Sequence, residues 1–529
     1  MTAYASGSMQ DYGLTVDRFL DHAAKWHGQA PVVTGGAGGD AVIGYAALRQ
    51  RANALSGALL DLGVRPGDRI ATLAWNTQHH LEVWYGAMGA GIVCHTLNPR
   101  LTPEHLAAMI NQADDRILFV GLGLAVLTEA LVAACPCIER VVVLDDEAPS
   151  AGLSLPHDAY EAFLSRHGRP AVWGDFDETA PAGLCFTSGT TGAPKGVLYT
   201  HRSNYLNTLR CMQADTLALT AADTILVAVP MFHANAWGIP FAAPAVGCGM
   251  VLPGRITDGA ALAGLINRHG VTVATGVPTV WLGLLDHLDA TGQDVPSLKR
   301  VAIGGASCPD ALLQRMEDRL GVTVQTSWGM TELSPMGTLS PPADGPRAAR
   351  ASGQVAMGLD IRLTDADNRP LPEQRNVEGH LKVRGPSVVR QYWQAEAPAI
   401  DAEGWFDTGD LAVIDSHGAL SITGRAKDLI KSGGEWINPA ELETIVGAMP
   451  SVGLVAVIGR SDPKWGERPL MVIEPRQGEV VEDAAVMAKL KGRVADWWLP
   501  DRIVRVSSMP LAATGKINKT ELRAQYGAA

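Results

Sequence analysis

The sequence contains no window of roughly 18 uninterrupted apolar residues, the length a membrane-crossing helix requires, so no integral membrane segment is expected. Met1 to Tyr12 lacks the basic start and apolar run of a secretory signal. Positive charge is in deficit: 43 Lys and Arg against 55 Asp and Glu leave a formal net charge of −12. That balance argues against nucleic acid as a partner. The seven cysteines, Cys94, Cys135, Cys137, Cys185, Cys211, Cys248 and Cys308, are scattered and odd in number. Cys135 and Cys137 stand too close for the usual zinc spacing and have no second pair. They read as thiols of a reducing compartment. No fixed-period repeat and no low-complexity tract is present. What remains is a globular protein with a cytoplasmic default, and at 529 residues it exceeds a single core, so two or more domains are expected.

The stretch around which the chain is organised runs from Phe186 to Gly196. It carries four hydroxyls (Thr187, Ser188, Thr190, Thr191), three glycines (Gly189, Gly192, Gly196) and Lys195, and it follows the apolar run Ala182 to Phe186. A strand feeding such a loop suits a phosphate: glycines let backbone N–H groups approach an anion, hydroxyls add hydrogen bonds, and the lysine adds a point charge. No Gly-Lys-Ser/Thr triplet closes it, so it is not the loop of ordinary nucleoside triphosphatases. A flexible polar loop is the competing reading.

Before and after this stretch, apolar residues at helical spacing (Val16 to Lys25, Tyr45 to Leu60, Leu81 to Met88, Pro103 to Gln112) alternate with short buried-strand runs. The strand runs are Arg69 to Ala74, Val141 to Leu144, Ile225 to Val229, Thr272 to Thr275 and Arg300 to Ile303. The alternation predicts parallel α/β layers. Beyond about residue 350 the strands shorten and turns appear: Gly379 to Gly385, then Leu411 to Gly418 with Asp415-Ser416-His417-Gly418 as a hairpin. Glu441 to Met449 and Ala484 to Trp497 read as helices and Val452 to Ile458 as a strand. The predicted architecture is a large multi-layered α/β domain, residues 1–426, and a small mobile α+β domain, residues 427–529.

Further clusters suit chemistry. Pro230 to Trp237 follows a strand, and His233 and Trp237, four apart, suit the mouth of an apolar pocket or a core aromatic pair. Gly304-Gly305-Ala306 at a strand end leaves room for a flat ring, and equally makes a tight turn. In Thr326-Ser327-Trp328-Gly329-Met330-Thr331-Glu332, Thr331 can donate to a phosphate and Glu332 can hold Mg²⁺. Asp410, at the turn Trp405 to Asp410, suits vicinal hydroxyls.

These motifs, in this order over nearly the whole chain, resemble the adenylate-forming superfamily of acyl-CoA synthetases, luciferases and adenylation domains. The resemblance implies ATP, Mg²⁺ and coenzyme A as the small molecules handled. ATP is implied to bind through Thr187, Ser188, Gly189, Thr190, Thr191, Lys195, Gly305, Ala306, Thr326, Ser327, Trp328, Thr331, Asp410, Arg425, Lys427 and Lys431. Glu332 and Thr187 are the implied metal ligands, and Lys427 is the implied hinge. Acyl contacts fall on His233, Ala234, Trp237, Gly304, Trp328 and Met330, and CoA contacts on Gly433, Gly434 and Trp436. His233 stands where amino-acid-activating relatives carry an aspartate, which argues against an amino acid substrate. Lys516, after Thr514-Gly515, is the implied lysine that swings into the site and bridges carboxylate and α-phosphate; Lys195, His233, Thr331 and Glu332 join it as the catalytic set. The expected reaction is acyl-adenylate formation followed by thioester formation. A medium-chain fatty acid is favoured, with 3-methylmercaptopropionate, an arylalkanoate, or a non-CoA acceptor as alternatives. A homodimer through the large domain is implied as well.

Overall fold

The computed structural model describes residues 8–121, 123–144, 155–187, 194–306, 308–342, 351–433, 435–512 and 516–528. A seven-stranded sheet takes the order His157–Ala159, Arg140–Val143, Ile117–Val120, Arg69–Leu73, Val93–Leu97, Pro181–Thr187, Lys195–Thr200. Its strands are parallel up to the last pair, where Lys195–Thr200 returns antiparallel to Pro181–Thr187. That return brings the two ends of the phosphate-suited stretch together, with Thr187 opposite Lys195. Residues 188–193 between them, and with them Ser188, Gly189, Thr190 and Thr191, lie outside the described residues.

A nine-stranded sheet has a parallel centre in the order Thr323–Gly329, Arg300–Ile303, Val273–Gly276, Thr224–Val227, Gly249–Leu252, Pro31–Thr34. The chain leaves Thr224–Val227 for Gly249–Leu252 on one side and then crosses to Val273–Gly276 on the other. The carboxyl ends of strands at such a switch in direction open a crevice, where ligands of α/β sheets bind. One apolar cluster joins both sheets, taking Ile70, Cys94 and Phe119 from the first and Ile225, Met250 and Val273 from the second. The helix Gln78–Gly89 is buried from His80 to Gly89, as expected of an element covered on every side.

An antiparallel four-stranded sheet follows: Asp360–Thr364, Glu378–Arg384, Phe406–Ile414, Leu420–Arg425. Its last hairpin turns at Asp415 to Gly418, where the Asp415 carboxylate accepts from the N–H groups of His417 and Ala419 and Gly418 takes φ 88°. The chain then enters a separate five-stranded sheet, with Val452–Asp462 and Gly466–Pro475 as its long hairpin and Arg502–Arg505 added in parallel. A large α/β domain and a smaller α+β domain result. The helix expected over Ala484 to Trp497 is corrected: it spans Asp483–Leu490, after which Gly492 at φ 73° breaks the period and only a short 3₁₀ turn, Asp496–Trp498, follows.

Candidate active site

The crevice holds a cleft of about 510 Å³ whose lining includes Thr187, His233, Trp237, Gly305, Trp328, Glu332, Arg425, Lys427 and Lys516. Residues from both domains therefore face one space.

On one wall Arg425, Glu332 and Lys516 face the cleft, and Asp410, which does not itself line it, is buried behind them. Asp410, 2% exposed, receives Arg425 Nε at 2.8 Å on Oδ1 and the Trp328 indole N–H at 2.9 Å on Oδ2. Burial raises the Asp410 pKa against the pull of Arg425. Glu332, 7% exposed, accepts from the Tyr392 hydroxyl at 2.9 Å. The preceding Thr331 carbonyl accepts from Tyr199 OH at 2.9 Å. Lys516 is reached by solvent through the cleft, yet the protein around it, and then Arg425, lower its pKa. Asp410 and Glu332 oppose that lowering, so both carboxylates lie within electrostatic reach of the lysine. His233 feels burial first, then Lys516 and Arg100, and its pKa falls to about 4; its imidazole is neutral at pH 7.

The other wall is apolar. Cys211, Leu217, Ile239, Ala302 and Leu339 belong to one core cluster, Met336 packs against it, and all six line the cleft. The Cys211 sulfur lies 3.8 Å from the Met336 sulfur and 3.9 Å from the Trp237 carbonyl. Trp237 is presented by an unusual backbone. Ala234, Asn235, Ala236 and Trp237 all have φ between 45° and 58°, and Gly238 has 78°. A left-handed turn costs non-glycine residues about 1–2 kcal/mol each, so neighbours must hold it. The buried Asn235 does so, with its amide near Asn204 Oδ1 at 3.5 Å and the Cys185 thiol donating to its oxygen at 3.6 Å. Gly304 fits beneath the indole because a Cβ there would sit 3.3 Å from Trp237 and 2.2 Å from Ser327 Oγ.

Not every residue implied from sequence faces the cleft. Thr326 donates its hydroxyl to the Ala351 carbonyl at 2.7 Å, and Ala306 is exposed beyond the glycine pair. Ser327 and Met330 line the cleft, and buried Ala234 does too. Trp328, implied for both nucleotide and acyl contact, spends its N–H on Asp410. Lys431 stacks its ammonium 5.4 Å from the ring of Trp436, which is 52% exposed. Gly433 takes φ 62° and donates to the Trp465 carbonyl at 2.7 Å, while Gly434 lies outside the described residues. The residues that sequence reasoning passed over are Tyr392 and the apolar wall. Tyr392 sits in an aromatic pair with Trp393 after Gly385-Pro386, which marks a turn but no chemistry.

Residues 19–393 match the family profile described as AMP-binding enzyme, and residues 441–516 match that of the AMP-binding enzyme C-terminal domain. The 3-methylmercaptopropionyl-CoA ligase of Ruegeria pomeroyi is 42% identical, with 98% of each chain covered. The medium-chain-fatty-acid–CoA ligase of Ectopseudomonas oleovorans is 40% identical over 98% of this chain and 97% of its own. Among solved structures, ATP-bound MatB from Rhodopseudomonas palustris superposes with a TM-score of 0.84 at 27% identity, covering 97% of this chain and 99% of its own.

Proposed function

The chain belongs to the AMP-binding enzyme family, and on that premise we propose that it is an ATP-dependent acid–CoA ligase preferring a medium-chain aliphatic acid. The observation that carries the reading is one cleft with two unlike ends. Lys516, Arg425 and Glu332 gather at one, with the buried Asp410 behind them in electrostatic reach of the lysine, and the apolar wall of Cys211, Leu217, Ile239, Ala302, Met336 and Leu339 lines the other.

A carboxylate cannot condense with a thiol directly at neutral pH, so it must first gain a leaving group. Its oxygen attacks the α-phosphorus of ATP, the bond to the β-phosphate oxygen breaks, and acyl-adenylate and pyrophosphate form. The CoA thiol then displaces AMP and releases its proton. Lys516 places positive charge where the carboxylate and α-phosphate, both anionic, must meet. His233, held neutral, lines the approach without binding the acid as a counter-charge. Asp410, buried and engaged on both oxygens by Arg425 and Trp328, is the carboxylate assigned to the ribose hydroxyls from the resemblance, and it holds Arg425 and Trp328 at the cleft. The donor set of one buried carboxylate and one hydroxyl, Glu332 and Thr187, fits Mg²⁺, which takes hard oxygen ligands together with substrate phosphates and would neutralise their charge. Lys195 and the loop before it gather the phosphates.

The second half-reaction needs a different face. On this reading residues 427–529 rotate about Lys427, withdrawing Lys516 and bringing Gly433 and Trp436, the latter 52% exposed, to the cleft. The boundary at 426/427 falls between the strand Leu420–Arg425 of one sheet and Ile430–Ser432 of the next. A cytoplasmic setting fits the free cysteines, and the homodimer is an inference from the resemblance alone. A second reading, 3-methylmercaptopropionate as the acid, is favoured by the paired sulfurs of Cys211 and Met336 in the pocket wall, because polarizable sulfur packs well against a thioether.

The test is pyrophosphate release with ATP and Mg²⁺ over propionate, 3-methylmercaptopropionate, octanoate, palmitate and phenylpropanoate, each with and without CoA. CoA-dependent turnover highest on octanoate is expected; highest turnover on 3-methylmercaptopropionate selects the second reading. Release indifferent to CoA would overturn the ligase assignment in favour of another acceptor.

A further inference from the structure

Two charged residues that the proposed function assigns to ATP and its metal, Lys195 and Glu332, meet the same side chain. The Tyr392 hydroxyl donates to Glu332 Oε1 at 2.9 Å, and the Lys195 ammonium lies 5.1 Å from the centroid of the Tyr392 ring. The backbone around it repeats both attachments. Val389 N donates to the Glu332 carbonyl at 2.7 Å, and Trp393 N donates to the Gly196 carbonyl, next to Lys195, also at 2.7 Å. Segment 389–393 is thus pinned to the Glu332 backbone carbonyl at one end and to the strand Lys195–Thr200 at the other, with Tyr392 between them reaching the Glu332 carboxylate.

We propose that Tyr392 is a positioning residue that orients Glu332 for a divalent cation bound with ATP and keeps Lys195 from pairing with that carboxylate. The inference rests on the ATP-dependent reading above. A carboxylate 7% exposed has lost most of its hydration, and a hydrogen bond to one oxygen decides how the plane is set. Tyr392 occupies Oε1; among the described residues no donor is bound to Oε2, and Glu332 lines the cleft. The ring face meanwhile gives the ammonium an electrostatic partner that carries no negative charge to compete for the phosphates. With an aliphatic side chain in place of the phenol, Lys195 and Glu332 would attract one another across the vacated space, and an ion pair there withdraws both from the substrate.

The experiment measures Mn²⁺ binding by electron paramagnetic resonance in the presence of α,β-methylene-ATP, for wild type, Tyr392→Phe, Glu332→Gln and the double variant. Tyr392→Phe keeps the ring and removes only the hydroxyl. Loss of a hydrogen bond to a charged group should weaken Mn²⁺ binding about tenfold. In the Glu332→Gln background the same change should matter less than about twofold, since the hydroxyl acts through the carboxylate. Thioester formation from chemically prepared acyl-adenylate should be unchanged in Tyr392→Phe. Equal losses in both backgrounds, or unchanged Mn²⁺ affinity in Tyr392→Phe, would overturn the proposal while leaving the ligase reading intact. The cycle remains readable if Tyr392→Phe also lowers stability, because it compares two backgrounds carrying the same lesion. A wild-type protein that binds no Mn²⁺ with the nucleotide analogue would sink both this inference and the reading on which it rests.

Discussion

The two walls of the cleft are built on opposite rules. The charged wall is held by directional bonds between charged or polar side chains: Asp410 to Arg425 and Trp328, and Glu332 to Tyr392. The apolar wall is assembled from Cys211, Leu217, Ile239, Ala302, Met336 and Leu339, of which only the last two share a strand, and these residues need only be apolar and of the right size. Recognition of a phosphate or a ribose demands particular atoms at particular angles. Recognition of an alkyl chain demands only a shape. The reaction is therefore written in few residues, and its substrate is spread over many.

That contrast can be broken in several ways. Chelating divalent cations should remove pyrophosphate formation by roughly a thousandfold or more, since several kcal/mol of charge stabilisation go with the metal, while thioester formation from preformed acyl-adenylate persists; loss of both would mean the metal serves structure instead. Asp410→Asn should raise the KM for ATP about a hundredfold, and Trp328→Phe about tenfold, as a charged hydrogen bond is worth about 1.5–3 kcal/mol. Neither should move the KM for the acid, and a shift in chain-length preference in Trp328→Phe would place that ring on the acyl side. Leu217→Phe should do the reverse, shortening the preferred acid by one or two carbons at about 1 kcal/mol per methylene with the KM for ATP untouched.

The smallest effect on activity concerns pH. His233 in the folded chain resists protonation until about pH 4, whereas the unfolded chain takes the proton near 6.5. The sign follows: this group subtracts stability as pH falls from about 6.5 toward about 4, by at most about 1.4 kcal/mol per unit. Between pH 6 and 8 it stays neutral, so kcat/KM for adenylation should show no acidic limb from it. A limb near pH 6.5 that disappears in His233→Ala would contradict the account.

What could be read in the sequence follows the same division. The strand Pro181–Thr187, the Asp415 to Gly418 turn, and the sequence order of Glu332, Asp410, Arg425 and Lys516 were legible, because glycine, charge and hydroxyl clusters report their physics locally. The expected helix to Trp497 overran because Ala484 to Leu490 has a convincing period and a lone Gly492 does not forbid continuation until tertiary packing selects a left-handed residue there. The left-handed turn at 234–237 was not legible: alanine and tryptophan do not favour that conformation, and tertiary contacts such as those of the buried Asn235 sustain it. Tyr392 escaped notice because its role depends on two partners 60 and 197 positions away, Glu332 and Lys195.

The central claim is that Lys516 serves one half of the reaction and leaves for the other. The direct measurement is Lys516→Ala assayed separately for pyrophosphate release from ATP plus acid and for thioester formation from preformed acyl-adenylate plus CoA. The account predicts a drop of about a thousandfold or more in the first, the range spanned by removing a charge aimed at the reacting phosphate, with the second within about threefold of wild type. Equal loss in both half-reactions would contradict it.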